Sequence, residues 1–365
     1  MKIAILTVPF NNNYGGFLQA FALKNILKSY GHEVWFIDRR RNRKGSRIVR
    51  IIKHILFLDK SQRRQKEISI NTLKFQETYL QPKTRTFYTS KSLKQCLQYK
   101  FDLYIVGSDQ VWRYKFAKEN IDDYFFNFLK GTSAPRISYA ASFGISSSEY
   151  DYEKKSLCSS LLKEFKYISV REESAKKILH EEFKIPNKDI KTVLDPTLLL
   201  NVDNYKILVN QYEKYDKEYI FSYILDTTFE LNDSIHQLSD SINLPVIKLK
   251  AQTGDKKTWD TIEAVELWLN RIYYSKFVIT DSFHGMVFSI IFKKPFIVFA
   301  NHSRGLDRFT SLLSILGLSN RLITNSNKYS LTQILYQNIN WDKVEKSLSI
   351  YKEESLNFLS NSLTK

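Results

Sequence analysis

The chain has 365 residues, 43% of them apolar, with 11 Gly and 7 Pro; this is enough for two α/β cores and unlike a disordered or fibrous chain. Its two cysteines, Cys96 and Cys158, lie too far apart in sequence for a disulfide framework or a cysteine zinc cluster. The net charge of +17 implies an anionic partner, but residues 39–66 alone hold 12 Lys or Arg against one acid, Asp59, which argues against a uniformly basic nucleic-acid binder.

The apolar run of residues 2–8 leads into Gly15-Gly16 and a helical pattern of Phe17, Leu18, Phe21, Leu23, Ile26 and Leu27, closed by Gly31. A second strand, Val34–Asp38, completes a β-loop-α-β unit, the opening of a doubly wound parallel sheet. From Arg47, apolar Ile48, Ile51, Ile52, Ile55 and Leu56 share one face of a basic helix within 41–58. Such a helix suits an interfacial position on anionic lipid, or an ordinary surface position with its basic face solvated. Strands are then predicted at Asp102–Val106, Ile137–Gly144, Tyr167–Arg171 and Val193–Pro196. After a polar stretch at about 201–218, a second series follows: strands at Tyr219–Ile224, Pro245–Leu249, Phe277–Thr280 and Pro295–Phe299, with helices near 229–242, 261–275 and 284–292. The pattern divides the chain into an N-terminal Rossmann-like domain (1–200), a C-terminal one (201–340) and a closing amphipathic helix (341–365). The opening residues are too short an apolar run for a signal peptide, and no stretch reaches transmembrane length, so a cytoplasmic location is expected.

Four segments carry polar groups where strands end, the place where α/β sheets bind ligands. Asn13-Tyr14-Gly15-Gly16 precedes a helix, where glycines admit close approach of a ligand or simply make a tight turn. Gly107-Ser108-Asp109-Gln110 offers Asp109 as a base for a hydroxyl or as the cap of the next helix. Thr280-Asp281-Ser282-Phe283-His284-Gly285-Met286 opens an apolar helix, with Asp281 or Ser282 as cap; His284 there either holds an anion or is a buried histidine bonded to backbone. Arg304 and Arg308, in Arg304-Gly305-Leu306-Asp307-Arg308, and Arg171 at a strand end are cations able to clamp a phosphate or carboxylate.

These segments, together with Leu18-Gln19-Ala20, Val111-Trp112, Ile137–Gly144, Ser169-Val170-Arg171-Glu172 and Leu194-Asp195-Pro196-Thr197, resemble the polysaccharide pyruvyltransferase family in their order along residues 3–317. The resemblance implies an α/β, GT-B-like fold: two Rossmann-like doubly wound domains facing a cleft, with a C-terminal helix crossing back. It implies transfer of the pyruvyl group of phosphoenolpyruvate onto two hydroxyls of a sugar, giving a cyclic ketal in capsular or exopolysaccharide synthesis. Phosphoenolpyruvate is then the donor substrate, with no cofactor and no metal. The acceptor is expected to be a lipid-linked, galactose-type sugar, reached at the inner membrane face through helix 41–58. Many members carry an arginine two residues before the motif histidine; here that residue is Ser282.

On this resemblance His284 is assigned as proton donor to the leaving phosphate and Asp109 as base. Arg308, Arg304, Arg171, Ser282 and Gly285 hold phosphoenolpyruvate. Asn13, Tyr14, Gly15, Gly16, Gln19, Ser108 and Gln110 line the acceptor side. The competing readings are a GT-B glycosyltransferase using a nucleotide sugar, and a non-enzymatic module binding anionic lipid or nucleic acid.

Overall fold

The computed structural model describes residues 1–10, 13–40, 58–250, 260–300, 305–324 and 331–364. Strands β1 (Lys2–Leu6), β2 (Glu33–Phe36), β3 (Leu103–Val106) and β4 (Arg136–Ser138) make a parallel sheet in the order β2-β1-β3-β4. A further parallel pair, β5 (Ile168–Val170) and β6 (Ile190–Thr192), is joined to it by the bridges Ile137–Tyr167 and Ala141–Val170. Strands β7 (Ile220–Ile224), β8 (Val246–Lys250), β9 (Phe277–Thr280), β10 (Phe296–Phe299) and β11 (Leu322–Ile323) make a second parallel sheet, ordered β11-β10-β9-β7-β8. The principal helices are α1 (Tyr14–Ser29), α2 (Leu58–Ile68), α3 (Ile70–Tyr79), α4 (Tyr152–Leu162), α5 (Glu173–Glu181), α6 (Val202–Val209), α7 (Phe229–Ile242), α8 (Val265–Tyr274), α9 (Phe283–Ile291), α10 (Asp307–Ile315) and α11 (Trp341–Leu363).

Both sheets follow the logic of parallel strands covered on two faces, so their strands are apolar throughout: Ile3, Ala4, Ile5 and Leu6 of β1, and Phe277, Val278 and Ile279 of β9, are all buried. Each sheet also reverses its winding once, between β1 and β3 and between β7 and β9. A crevice opens at the carboxyl end of each such switch point. There lie Thr7, Ser108 and Asp109 in the first sheet, and Leu225, Asp226 and Asp281 in the second.

Helix α1 joins the two halves. Its first residue, Tyr14, stacks on Trp268 of α8 with ring centroids 5.4 Å apart, and its hydroxyl donates to the Glu263 carbonyl at 3.1 Å. Helix α11 returns to the first sheet: Phe358 packs on Tyr139 and Tyr167, and the Ser355 hydroxyl accepts from the Leu194 amide at 2.9 Å. Among the described residues no helix is long and apolar enough to cross a membrane.

Three local expectations are corrected. The run Ile137–Gly144 is a strand only to Ser138; beyond it Ala140 (φ 52°) and Gly144 (φ 68°) enter the left-handed region and bend the chain into the crevice. Val193–Pro196 is not a strand. The strand is Ile190–Thr192, and Asp195 instead caps a short 3-10 turn, Pro196–Leu198, by accepting from the Thr197 amide. Asp109 does not cap an α-helix; the next one begins at Tyr114 with Arg113 before it. The basic helix expected within 41–58 lies, except for Leu58, outside the described residues, as does Arg304.

Candidate active site

Ser282 is the residue that caps α9, its hydroxyl accepting from the Gly285 amide at 3.4 Å. Asp281 accepts instead from the amides of Leu225 (2.6 Å) and Asp226 (3.1 Å), tying the end of β7 to the end of β9. Gly285 is required by close packing, since a Cβ there would lie 2.4 Å from Thr280 Oγ1. Ser282 and Gly285, both expected to hold phosphoenolpyruvate, also build the junction from which His284 projects.

His284 points out of that junction at the first half of the molecule. A Cβ on Gly15 would lie 1.9 Å from its Nδ1, so the first turn of α1 closes directly over the imidazole. Its Nε2 lies 3.6 Å from Asp195 Oδ2, an ion-pair distance rather than a hydrogen bond. The alternative of a histidine tied to backbone does not describe this ring: Nε2 is buried and has no hydrogen-bond partner among the described residues.

Asp195 is the centre of the arrangement. Its Oδ2 accepts from Arg171 Nη1 at 2.5 Å and from Ser108 Oγ at 3.0 Å, and its Oδ1 from Thr197 Oγ1 at 2.7 Å. Burial alone would raise the Asp195 carboxyl, but His284, then Arg171 and Thr197, hold it well below the usual carboxylate range. Arg171 also has Nη2 3.7 Å from Asp109 Oδ1 and Nε 3.8 Å from Glu172 Oε2. Burial opposes its charge, yet Asp195, Glu172 and Asp109 together raise its affinity for its proton.

Arg308, from α10, also lies on the ring of Phe283. Its guanidinium lies 5.1 Å from the ring centroid and that of Arg171 4.7 Å, so two cations share one aromatic ring. Burial and the neighbouring charge of Arg171 lower the Arg308 guanidinium to about 10, more than Asp109, Glu172 and Asp195 compensate. Glu172 accepts from Ser142 Oγ (2.7 Å) and the Gly144 amide (3.3 Å), but its complete burial still pushes its carboxyl upward. The cluster therefore holds two guanidiniums, three carboxylates and an imidazole, drawn from both sheets and all largely removed from water.

The structure brings Asp109, Arg171, His284, Arg308 and Ser108 together, with Gly15 against them. Asp109 holds φ 78°, a sparsely used conformation for a residue with a side chain, directly after β3. Gln110 packs under Gly144, where a Cβ would lie 2.5 Å from its side chain. Gln19 donates to Thr7 Oγ1 at 3.1 Å and leaves its own Oε1 buried. Asn13 is exposed before α1, and Gly16, beside it, has room for a Cβ. Tyr14 is engaged in the core between the halves, which raises its phenol well above the ordinary range through burial and then the charges of Tyr223 and Glu263. Sequence reasoning gave no site role to Asp195, Glu172 or Phe283. The available signals were Asp195-Pro196 shortly after a strand, and Glu172 directly following the strand-end Arg171. Among the described residues no group of three or more His, Cys, Asp or Glu is arranged to hold a metal ion.

Two doubly wound parallel sheets facing across a buried ionic cluster define a GT-B-like protein with two Rossmann-like units. The same architecture occurs in solved UDP-GlcNAc 2-epimerases at low identity. That from Methanocaldococcus jannaschii is 13% identical, with a TM-score of 0.58 over 99% of this chain and 100% of its own. That from Neisseria meningitidis bound to UDP-GlcNAc is 12% identical, with a TM-score of 0.55 over 100% and 99%. The S. aureus MnaA–UDP structure is 14% identical, with a TM-score of 0.55 over 99% and 96%. At such identities the likeness establishes the fold. The sequence profile of the polysaccharide pyruvyl transferase family matches residues 13–303, and the chain belongs to that family. A comparison with curated proteins finds no match.

Proposed function

We propose that this transferase moves the pyruvyl group of phosphoenolpyruvate onto two hydroxyls of one sugar, forming a cyclic ketal and releasing phosphate. The observation that carries the reading is the pair Arg171 and Arg308, 4.7 and 5.1 Å from the Phe283 ring centroid, beside His284. Phosphoenolpyruvate has two anionic ends, a carboxylate and a phosphate, and two guanidiniums held at one site match both. An anion between them would also offset their mutual repulsion.

Ketal formation requires protonation of the enol methylene, attack of a first hydroxyl on the resulting cationic carbon, departure of phosphate, and ring closure by the second hydroxyl. Two protons leave the hydroxyls; one reaches the methylene and one the phosphate, so the sequence balances. His284 is the group we assign to proton delivery on the phosphate side, with Asp195 Oδ2 3.6 Å from its Nε2. Asp109, on the opposite side of Arg171, is assigned as base toward the acceptor. Ser108, Gln110, Gly15, Gly16, Gln19 and Asn13 lie on the side assigned to the sugar. Family membership implies a sugar acceptor. A lipid-linked, galactose-type acceptor for capsule or exopolysaccharide, met at the inner membrane surface through basic residues 41–58, is the form we propose.

The test is phosphate release coupled to the mass of a pyruvyl ketal, using purified protein, phosphoenolpyruvate and a galactosyl-lipid. His284→Ala is expected to reduce turnover by about 10²–10⁴-fold. Unchanged turnover in that variant would remove the role given to His284. Thermal stabilisation by a UDP-sugar but not by phosphoenolpyruvate would overturn the donor assignment in favour of a nucleotide-sugar transferase.

A further inference from the structure

Among the charged residues of the cluster, only Asp109 has a positive φ, 78°. A side chain in that region persists where its surroundings over-determine the backbone. The Asp109 carbonyl accepts from the amides of Val111 at 2.7 Å and Ser142 at 3.1 Å, which fixes the peptide that follows it. The peptide that precedes it, between Ser108 and Asp109, is the one whose rotation sets φ at Asp109. The carbonyl of that peptide accepts from the Thr7 hydroxyl at 3.3 Å.

Thr7 directly follows β1, where the Gly107 amide bonds the Leu6 carbonyl at 2.8 Å and extends the ladder past both strand ends. Thr7, Ser108 and Gln19 are all buried. Gln19 Nε2 donates to Thr7 Oγ1 at 3.1 Å and to the Gly16 carbonyl at 3.0 Å. A carbonyl oxygen only accepts, so the Gln19 atom facing Gly16 must be the nitrogen, and its two hydrogens are both spent. Thr7 therefore accepts from Gln19 and keeps its single hydroxyl proton for Ser108. Ser108 is tied at its other end as well, its Oγ donating to Asp195 Oδ2 at 3.0 Å. One buried chain of bonds thus runs from the first turns of α1, through Thr7, to the peptide that carries Asp109.

We infer that Thr7, oriented by Gln19, is a positioning residue for the reaction: its hydroxyl holds the Ser108–Asp109 peptide and so keeps the Asp109 carboxylate in place. The inference rests on the proposed role of Asp109 as base toward the acceptor. Without the hydroxyl the peptide can turn over, which lets Asp109 relax to a negative φ. Its carboxylate then leaves the place it now holds, with Oδ1 3.7 Å from Arg171 Nη2. Gln19, buried with its nitrogen spent on Thr7 and Gly16, acts through Thr7 rather than on the sugar.

The experiment compares Thr7→Val, Thr7→Ser, Asp109→Asn and Thr7→Val combined with Asp109→Asn, all in the full chain. Turnover is read as phosphate release from phosphoenolpyruvate with a galactosyl-lipid, and crystal structures are solved for wild type and Thr7→Val. Thr7→Val keeps the shape and loses the hydroxyl. Its kcat is expected to fall by about 10²-fold, with the KM for phosphoenolpyruvate near wild type and the Ser108–Asp109 peptide turned over in the crystal. Thr7→Ser keeps the hydroxyl and is expected to recover most of the lost rate, which separates the bond from the packing. On the Asp109→Asn background, Thr7→Val is expected to add little further loss. A full second loss there would show that Thr7 acts independently of Asp109 and would overturn the inference. A wild-type kcat or an unmoved Asp109 backbone in Thr7→Val would overturn it too, and an impaired Asp109→Asn would then leave the base assignment standing. Wild-type turnover in Asp109→Asn would overturn the base and this inference together. If the wild-type chain releases no phosphate from these substrates, the donor or the acceptor proposal fails, and the two crystal structures alone decide whether Thr7 holds Asp109.

Discussion

Asp281 and Asp195 are both buried, both lie just past a strand, and both sit where one sheet faces the other. Asp281 accepts from the backbone amides of Leu225 and Asp226, groups whose positions the sheet fixes. Asp195 accepts from the side chains of Arg171, Ser108 and Thr197 and faces His284. Burial and place in the fold are therefore alike, and the partners differ. A carboxylate satisfied by backbone fastens the architecture. One satisfied by arginine, serine and threonine side chains, with a histidine nearby, sits instead inside a network of charge.

The sharpest break of this comparison is Asp195→Asn. The amide keeps the shape but removes the counter-charge of Arg171 and His284, and turnover is expected to fall by about 10²–10⁴-fold. Full activity in the variant would make Asp195 a second staple like Asp281. Next in size is Gly15→Ala. The added Cβ would meet His284 Nδ1 at 1.9 Å, so the ring must move. A misplacement of about 1 Å costs about 10²-fold in rate.

The parallel sheets were legible because their strands are near-continuous apolar runs separated by helical periods, and most of the principal elements sit where those runs do. Helix α2 was not legible, since Leu58–Ile68 is almost wholly polar and gives no apolar stripe. Strand β11 is two residues long, below the length at which alternation or an apolar run can register. Four residues of the cluster were legible, His284, Arg171 and Asp109 close to strand ends and Arg308 on α10, and the structure brings them together. Asp195 was hidden by the expectation of a strand through Val193–Pro196, which assigned it a place in a ladder rather than a cap. Glu172 was hidden because a charged residue after an arginine ordinarily faces water, and only the fold buries it against Ser142 and Gly144.

Asp281→Asn tests the staple. Losing the charge-assisted bonds to two amides should cost about 1–3 kcal/mol, read by denaturant unfolding. The Michaelis constants should stay within a few-fold of wild type. A catalytic collapse without a stability loss would show that the two aspartates share a role.

The smallest effect lies beside Arg171, where two carboxylates of opposite character meet one guanidinium. Asp195 is held low, so its contribution to stability is present above its ordinary value of about 3.9 and fades only as pH falls through its lower folded value. Glu172 is pushed up by burial, so the folded protein favours its neutral form, and stability is lost as pH rises through the raised value. Glu172→Gln keeps an acceptor for Ser142 and Gly144 while removing that loss. Its melting temperature at pH 8 should equal or exceed wild type, by the equivalent of up to about 1 kcal/mol. The difference should shrink as pH falls below the ordinary glutamate value of about 4.3, where the wild-type side chain becomes neutral in both states. Asp195→Asn should show the opposite sign at pH 8. A Glu172→Gln variant less stable than wild type at pH 8 would mean that Arg171 and Arg308 together outweigh burial at Glu172, and that all three carboxylates of the cluster serve as counter-ions.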